Sequence, residues 1–292
     1  MPVGPVIALS HGGGPMPLLD DPGHKSIISS LRNRVPEILR LASPEERPRA
    51  IVLVTAHWTA PRGPVISSGA APPLLYDYYG FPAETYSVRY PAPGAPEVAA
   101  QVAAAMRREG LSPELDAARG WDHGVFVPLK LAVPDADVPV VQVSVLASED
   151  PAQHLRMGRA LASLRDDNVA IVGSGFASFH NIGLMQSLRG VDRSGLDRGF
   201  LAFKAKTDEW NDALTAAATA ANATERAARL ARWREFPHAD MMHPPRGGEH
   251  FMPLLVCAGA ARDADGAAKA YKDEYMGVDI YTYYWGAPAV TA

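Results

Sequence analysis

The sequence predicts an α/β fold: a single domain over residues 1–292, with a central, mostly parallel or mixed sheet covered by helices on both faces. Short continuous apolar runs, typical of strands buried on both sides, alternate with segments of helical periodicity. No internal repeat, low-complexity tract or linker interrupts this alternation. These observations favour one layered domain over several small ones.

Six apolar runs predict the strands of the sheet. Glycine and proline bound most of them, as expected where strands end in turns. The predicted strands cover residues 6–10, 50–56, 63–69, 138–146, 168–173 and 278–285. Between the third and fourth, residues 70–95 are rich in proline, glycine and tyrosine, which predicts a long ordered loop.

Apolar residues three and four positions apart predict the helices. Pro36 predicts a break in the first helix, and Asp150 followed by Pro151 is a strong helix start. Residues 195–235 are predicted to be largely helical, with a break between two helices at 218–222. The apolar stripe of the first helix is Leu196, Phe200, Phe203, Trp210 and Leu214. The predicted helices cover residues 26–41, 97–108, a short segment from the turn 121–124 to about 133, 151–164, two helices in 195–235, and 251–261.

Composition limits the classes of function. The 292 residues are 47 % hydrophobic and 21 % charged, which suffices for a sizeable core. The formal net charge is −4 with no basic block, so neither nucleic acid nor an anionic membrane is expected as the main ligand. With Cys257 as the one cysteine, no signal peptide and no apolar run of ~20 residues, we expect a soluble cytoplasmic protein, with a homo-oligomer left open.

Five histidines lie beside predicted strand ends or turns. His11, His57 and His180 follow predicted strands, whereas His123 and His250 lie in turns. Because ligand crevices of open α/β sheets lie beyond the carboxyl ends of strands, these side chains could converge. The alternative is that each imidazole binds only solvent or a backbone carbonyl. The other four histidines, for which that alternative is favoured, are His24, His154, His238 and His243.

A convergent set of imidazoles predicts a metal site. Neutral imidazole suits iron, zinc and copper, and three protein ligands with open positions are typical of a catalytic site. His250 lies where a Pro- and Gly-rich turn becomes an apolar helix, so its imidazole either has a neighbouring partner or is bound to a ligand. The sequence has no His-Glu-x-x-His helix, which excludes the zinc proteases that use that motif.

A serine esterase is the alternative class of enzyme. His11-Gly12-Gly13-Gly14 matches the oxyanion-hole motif of lipases and esterases. Ser174 is flanked by glycines, but a nucleophile elbow needs glycine two residues to either side, where Val172 and Phe176 stand. The same stretch fails as a dinucleotide fingerprint, because Ser178 occupies the third glycine position.

Five short motifs in order resemble class III extradiol ring-cleavage dioxygenases. They are Ser10-His11-Gly12, Ala56-His57-Trp58, Asp122-His123-Gly124, Gly173-Ser174-Gly175 with His180-Asn181, and His243-Pro244 with Glu249-His250-Phe251 and Pro253-Leu254. The resemblance runs from His11 to about Gly259, and the tail from Asp273 to Trp285 also fits. It is closest to the DOPA 4,5-extradiol dioxygenase-like branch, which shares its fold with the protocatechuate 4,5-dioxygenase catalytic subunit.

The resemblance implies a non-haem metal held by His11, His57 and His250. It implies that His180 is the acid–base residue, or a fourth ligand in metal-bound resting forms, and that His123 lies behind the ligands or against the substrate. Fe(II) is expected for activity, although Zn(II) could be the metal found bound. The implied substrates are a catechol and dioxygen, and the product is of the muconic semialdehyde type.

Two features of the sequence leave the third ligand and the ring-cleaving activity open. Glu249 rivals His250, because the protocatechuate branch uses a carboxylate as third ligand; we predict His250, since adjacent residues at a helix start point about 100° apart. Residues 13–15 and the spacing from His243 to His250 depart from the usual pattern, so a zinc-binding relative without ring cleavage stays an alternative. Candidate contacts for the ring substituent are Arg246, Tyr76 and Tyr79.

Overall fold

The computed structural model describes residues 2–188 and 197–290, and these residues form one eight-stranded mixed sheet. The predicted α/β fold is therefore confirmed. The strands are β1 (Val6–Ser10), β2 (Ala50–Ala60), β3 (Val65–Ser67), β4 (Glu114–Asp116), β5 (Val140–Leu146), β6 (Val169–Gly175), β7 (Lys269–Tyr275) and β8 (Val278–Trp285).

The strand order is β4-β3-β5-β2-β6-β1-β8-β7. The centre of the sheet, β5-β2-β6-β1, is parallel, whereas β8 pairs antiparallel with both β1 and β7, and β3 pairs antiparallel with β5. The parallel strands are almost wholly buried, which matches their continuous apolar sequences. Because β2, β6 and β1 are neighbours, their carboxyl ends meet at one edge of the sheet.

Helices cover both faces of the sheet. They are α1 (Lys25–Arg32), α2 (Arg34–Ile38), α3 (Pro96–Arg108), α4 (His123–Ala132), α5 (Pro151–Ala162), α6 (Ile182–Ser187), α7 (Arg198–Ala218), α8 (Ala223–Leu230), α9 (Ala239–Met242) and α10 (Met252–Ala260). One group packs α10 against α5 and β6, and another packs α4 against α1 and β2. Among the described helices, no segment combines the length and the apolarity that crossing a membrane requires.

Several predicted boundaries are wrong for identifiable reasons. β2 does not end at Ala56 but continues to Ala60, with a shift in its pairing to β5 between Thr55 and Thr59. β6 extends through Gly175, and the first helix breaks at Asn33 rather than at Pro36, because Pro36 lies in the first turn of α2. Leu196 of the predicted stripe lies outside the described residues.

Two strands were not predicted because they lie at the edges of the sheet. β4 has only three residues, and β7 reads KAYKDEY, which is too polar to resemble the buried runs. Charged residues are common on edge strands, where they prevent further pairing. The hairpin of β7 and β8 contributes to the site. Its strand β7 ends at Tyr275, which lines the same cavity as the histidines.

Candidate metal centre

Three imidazoles converge at the carboxyl edge of the parallel strands. The Nε2 atom of His57 lies 3.2 Å from Nε2 of His11 and 3.3 Å from Nε2 of His250. The three side chains offer ligand atoms that all lie within 4.8 Å of one another. The structure therefore brings together the three residues that the resemblance implies as metal ligands.

The hydrogen bonds behind His11 determine which of its nitrogens faces the cluster. His11 follows β1, and its Nδ1 lies 3.0 Å from Ser174 Oγ on the neighbouring strand β6. Ser174 Oγ–H donates to the carbonyl of Gly124, so the hydroxyl oxygen accepts from Nδ1–H of His11. His11 is consequently the Nδ1–H tautomer, and its Nε2 lone pair points towards His57.

Glu249 has the same effect on His250. Its Oε1 atom lies 2.8 Å from Nδ1 of His250 and accepts a hydrogen bond there, which leaves Nε2 of His250 as a lone pair. The backbone of His250 is held where α10 begins, since its carbonyl accepts from the N–H of Phe176. A Cβ on Gly175 would lie 2.3 Å from that carbonyl, so the glycine permits the close approach of the two segments.

The irregular part of β2 sets the position of His57. The backbone N–H of His57 donates to Thr55 Oγ1, and that hydroxyl donates to Asp122 Oδ1. Gln142 and Arg119 donate to the other oxygen of this buried carboxylate. Burial, and after it the charge of Asp77, raises the pKa of Asp122 to about 6, against the hydrogen bond from Thr55 and the charge of Arg119.

His180 lies beside His250 rather than within the convergent set. The rings of His180 and His250 stack at 3.4 Å, and Nδ1 of His180 lies 3.7 Å from Glu249 Oε1. Two hydrogen bonds fix the backbone and the neighbour of His180. The N–H of His180 donates to the Met242 carbonyl, and the Asn181 amide donates to the Met241 carbonyl. The loop is tied at both residues.

His123 faces the cluster from α4, at whose first residue it lies rather than in the preceding turn. Its ring centroid is 3.7 Å from that of His57 and 5.8 Å from that of His11. Asp77 Oδ1 accepts from both the backbone N–H and Nδ1–H of His123, which leaves Nε2 as a hydrogen-bond acceptor. Asp77 comes from the long loop 70–95, where no sequence signal marked it.

Burial keeps the clustered imidazoles neutral. The pKa values of His11, His57 and His250 lie well below the ordinary histidine value, primarily because burial disfavours the charged ring and then because the histidines repel one another when charged. Burial also lowers the pKa of His180 to about 4, although Glu249 raises it in part. Neutral imidazole is the form that binds a metal, so these rings are ready to act as ligands.

The cluster forms one end of a cavity of about 310 Å³. The wall includes Gly12, Gly13 and Gly14, of which Gly12 and Gly14 have positive φ angles of 86° and 55°. Other lining residues that sequence reasoning missed are Met16, His24, Tyr78, Phe81, Phe176, Ile182, Met185, Gln186 and Tyr275. A larger groove of about 650 Å³ near Arg32 and Lys130 has no histidine in its lining, so we place the site at the smaller cavity.

A comparison with protein families agrees with this geometry. The family model described as the catalytic LigB subunit of aromatic ring-opening dioxygenase matches residues 5–284. The chain belongs to this family. The resemblance drawn from five short motifs is therefore confirmed, and the protein is an enzyme of the ring-cleaving dioxygenase type.

Individual members of the LigB family match over most of the chain. Dioxygenase tasH of Hapsidospora irregularis is 59 % identical over 291 residues, which are 99 % of this chain and 88 % of that protein. A 4,5-DOPA dioxygenase extradiol of Beta vulgaris is 31 % identical over 277 residues, 94 % of each chain. The crystal structure of an uncharacterized protein from Escherichia coli K12 is similar with a TM-score of 0.68 and 28 % identity, covering 96 % of this chain and 99 % of that one.

Within this LigB-family chain, Ser174 does not have the surroundings of an esterase nucleophile. It lies inside β6, is fully buried, and binds His11 and the Gly124 carbonyl. The N–H of Gly13, which an oxyanion hole would need, donates to Nε2 of His24. The glycines around Ser174 instead allow close packing, because a Cβ on Gly173 would lie 2.7 Å from the carbonyl oxygen of Pro253.

The remaining histidines have partners that explain them. His154 and His243 are buried and bind backbone groups, and Nε2 of His238 lies 2.8 Å from Glu209 Oε2. For His24 the sequence interpretation, a partner in solvent or a backbone carbonyl, is wrong. His24 lines the cavity, and its Nδ1–H donates to Asp21 at 2.6 Å. No sequence signal marked His24, which reaches the site through a short 3₁₀ segment before α1.

The three residues proposed to contact a ring substituent do not line the cavity. Tyr79 is 91 % exposed and Arg246 is also exposed, whereas the Tyr76 hydroxyl donates to the Val88 carbonyl. Among the aromatic residues of this loop, Tyr78 and Phe81 line the cavity instead, and the Tyr78 hydroxyl donates to the Thr85 carbonyl. No periodicity in the loop distinguishes these two side chains from Tyr76 and Tyr79.

Proposed function

We propose that this protein is an Fe(II)-dependent extradiol dioxygenase that opens a catecholic ring with dioxygen, giving a muconic semialdehyde-type product. His11, His57 and His250 would hold the metal, and His180 would transfer protons. The observation that carries the proposal is the convergence of three neutral Nε2 atoms, two of which have their outer nitrogens bound to Ser174 and Glu249.

The distances in the cluster fit one small metal ion. With nitrogen–metal bonds of about 2.0–2.1 Å, two imidazole nitrogens on one ion lie about 2.8–3.4 Å apart, for angles from about 90° to about 109°. The observed separations of 3.2 and 3.3 Å fall within this range. Among the described residues, the ring of His57 is the partner of Nε2 in both His11 and His250, and it can donate a proton to only one of these two lone pairs.

Glu249 supports His250 as the ligand rather than replacing it. Its carboxylate binds the outer nitrogen of His250 and is absent from the group of atoms formed with His11 and His57. Carboxylates commonly occupy this position behind a metal-bound imidazole, where they fix the ring and raise its basicity. Only His250 of the two adjacent residues presents an atom to the cluster, as expected when neighbours point about 100° apart.

Iron in this site would supply the redox chemistry that ring opening with dioxygen requires, and the polar residues of the cavity would manage the protons. Neutral His180 can accept a proton from a catechol hydroxyl, and the charge of Glu249 next to it stabilises the resulting imidazolium. Nε2 of His123, held by Asp77, can accept a hydrogen bond from the same substrate. In this role His180 changes from its neutral form to the protonated form and back during each turnover.

The placement of His180 favours proton transfer over metal binding. Among the described residues, the group formed with His11 and His57 contains His250 but not His180, which groups with Glu249 and His250 instead. Stacking on His250 brings the imidazole next to the cluster while its nitrogens stay outside it. His180 is therefore proposed as the acid–base residue and not as a fourth ligand.

The decisive experiment is to load metal-free protein anaerobically with Fe(II) or Zn(II), and then to measure oxygen uptake and the absorbance of ring-opened product with a catechol. We expect activity with iron alone. Ring cleavage by iron-free, zinc-loaded protein would contradict the mechanism, and an inactive iron-loaded protein that binds zinc would favour a non-cleaving relative. If no metal binds, a p-nitrophenyl ester assay tests the esterase alternative.

We also propose that residues 1–292 act as one domain and that the enzyme works in the cytoplasm. All strands of the described residues belong to one sheet, which supports the first proposal. Cys257 supports the second, because it is a free, buried thiol in the helix α10. The partners proposed are the catechol and dioxygen.

A further inference from the structure

The part of the cavity wall that is not formed by histidines is mainly apolar. Met16 and Phe81 line it, Phe176 follows the end of β6 and contacts the ring of His11, and Ile182 and Met185 come from α6. Ile182 is 55 % exposed although it lines the cavity. A large apolar side chain exposed at the opening of a binding cavity is a natural contact for a ligand.

The described part of the chain places no lysine or arginine in the wall of this cavity. Three carboxylates instead lie directly behind lining histidines: Asp21 is 2.6 Å from His24, and the others lie 2.8 Å from their partners. These other two pairs are Asp77 with His123 and Glu249 with His250.

We propose that the substrate is a catechol whose ring carries a neutral, mainly apolar substituent; this inference rests on the proposed function. Such a substituent can bury its surface against Phe81, Ile182 and Met185, as apolar groups favour. A carboxylate in the same place would be removed from water, and the described lining residues include no lysine or arginine to pair with it. The three carboxylates behind the lining histidines would make its burial still less favourable.

Binding to the zinc-loaded protein tests the inference without relying on turnover. Two ligands matched in length are 4-propylcatechol and 3-(3,4-dihydroxyphenyl)propanoic acid, titrated anaerobically by calorimetry at pH 7. We expect the neutral ligand to bind at least about tenfold more tightly, since the acid must desolvate an unpaired charge. Equal or tighter binding of the acid would overturn the inference.

A charge introduced at Ile182 provides a second test. In Ile182→Lys, the new ammonium lies at the cavity mouth, and we expect the preference for the neutral ligand to fall by about three- to tenfold. Leu201→Lys is the matched control, because Leu201 is 46 % exposed on α7 and does not line the cavity. An unchanged preference in Ile182→Lys, or the same fall in Leu201→Lys, would contradict the assignment of this wall to the substituent.

The outcomes separate this inference from the proposed function. If the iron-loaded enzyme cleaves the acid with the higher kcat/KM, the proposed function stands and the inference is wrong. If the zinc-loaded protein shows the expected preference but the iron-loaded protein opens neither ring, the inference stands and the proposed function is wrong. If neither ligand binds, both are wrong.

Discussion

Two sets of buried histidines in this protein look alike until their hydrogen bonds are compared. His154, in α5, is fully buried, and burial lowers its pKa to about 4. His11 and His250 are 2 % and 5 % exposed, and burial lowers their pKa values for the same reason. Burial and a lowered pKa therefore do not distinguish a structural histidine from a candidate ligand.

The partner of the second nitrogen makes the distinction. In His154, Nδ1–H donates to the Asp150 carbonyl at 2.7 Å and Nε2 accepts from the Leu146 N–H at 3.0 Å, so both nitrogens have backbone partners. In His11 and His250, the outer nitrogen binds a side chain and the inner one faces another imidazole. A lone pair buried against other lone pairs indicates that something is to be bound there.

The largest expected effect is on metal binding when a clustered histidine is replaced. His57→Gln should lose both metal and activity, by more than the 10–100-fold in affinity that changes behind a ligand typically cost. His154→Gln, the matched control from the other set, should bind metal normally. Metal content after anaerobic Fe(II) loading and desalting checks this. A normal iron content in His57→Gln would contradict the claim that the clustered histidines bind metal and His154 does not.

His180 is expected to show the next largest effect, because it lies beside the cluster without joining it. His180→Gln should keep most of its iron while turnover falls by roughly 10²–10⁴-fold, as for removal of a general acid–base group. Iron content and oxygen uptake measured on the same sample separate the two properties. Loss of iron comparable to that of His57→Gln would make His180 a ligand. Normal activity with normal iron would transfer the proton role to His123.

The carboxylate behind His250 should have a smaller effect on metal affinity. Glu249→Ala removes the acceptor of Nδ1–H, and we expect metal affinity to fall by about 10–100-fold. His250→Ala should lose the metal altogether. Glu209→Ala is a matched control, because Glu209 binds the half-buried His238 at the same 2.8 Å distance and neither residue lines the cavity. Full occupancy in His250→Ala with loss in Glu249→Ala would reverse the ligand assignment.

The smallest effect concerns the pH dependence of stability at His154. Its pKa is about 4 in the folded protein and about 6.5 when unfolded, so the unfolded chain binds more protons between these values. Its contribution to the free energy of unfolding is complete above pH 6.5 and is lost as the pH falls towards 4, by up to about 1.4 kcal/mol per pH unit.

Urea denaturation of wild type and His154→Gln at pH 7, 6 and 5 measures this contribution. The variant should be less stable at pH 7, because it breaks two buried hydrogen bonds, but its stability should change less with pH. The difference between the two proteins removes the common contribution of the clustered histidines. Identical pH dependence in both would show that His154 does not titrate as its surroundings imply.

The inner strands of the sheet could be predicted because burial determines their sequences. The apolar runs at 6–10 and 278–285 coincide with β1 and β8, and the proline-initiated helix α5 begins where Asp150 indicated it would. The adjacency of β1, β6 and β2 was not predicted from the residues, since it depends on contacts between distant parts of the chain. That adjacency is what brings His11 and His57 together.

The candidate ligands could be picked out because each lies in a short motif beside a predicted strand end or turn. Their hydrogen-bond partners could not. Ser174 was considered only as a nucleophile, and rejected, whereas the structure shows that it binds His11. Asp77 lies in a loop without any regular pattern. Side chains that act through one hydrogen bond to another residue leave no periodicity or spacing in the sequence.

The central claim is that three imidazoles bind one metal ion at this edge of the sheet. X-ray absorption at the zinc edge of zinc-loaded wild type and His57→Ala counts those ligands directly. We expect three imidazole nitrogens at about 2.0–2.1 Å in wild type and a loss of one, or of the metal, in the variant. A coordination shell with fewer than three imidazoles in wild type, or an unchanged shell in His57→Ala, would contradict the account.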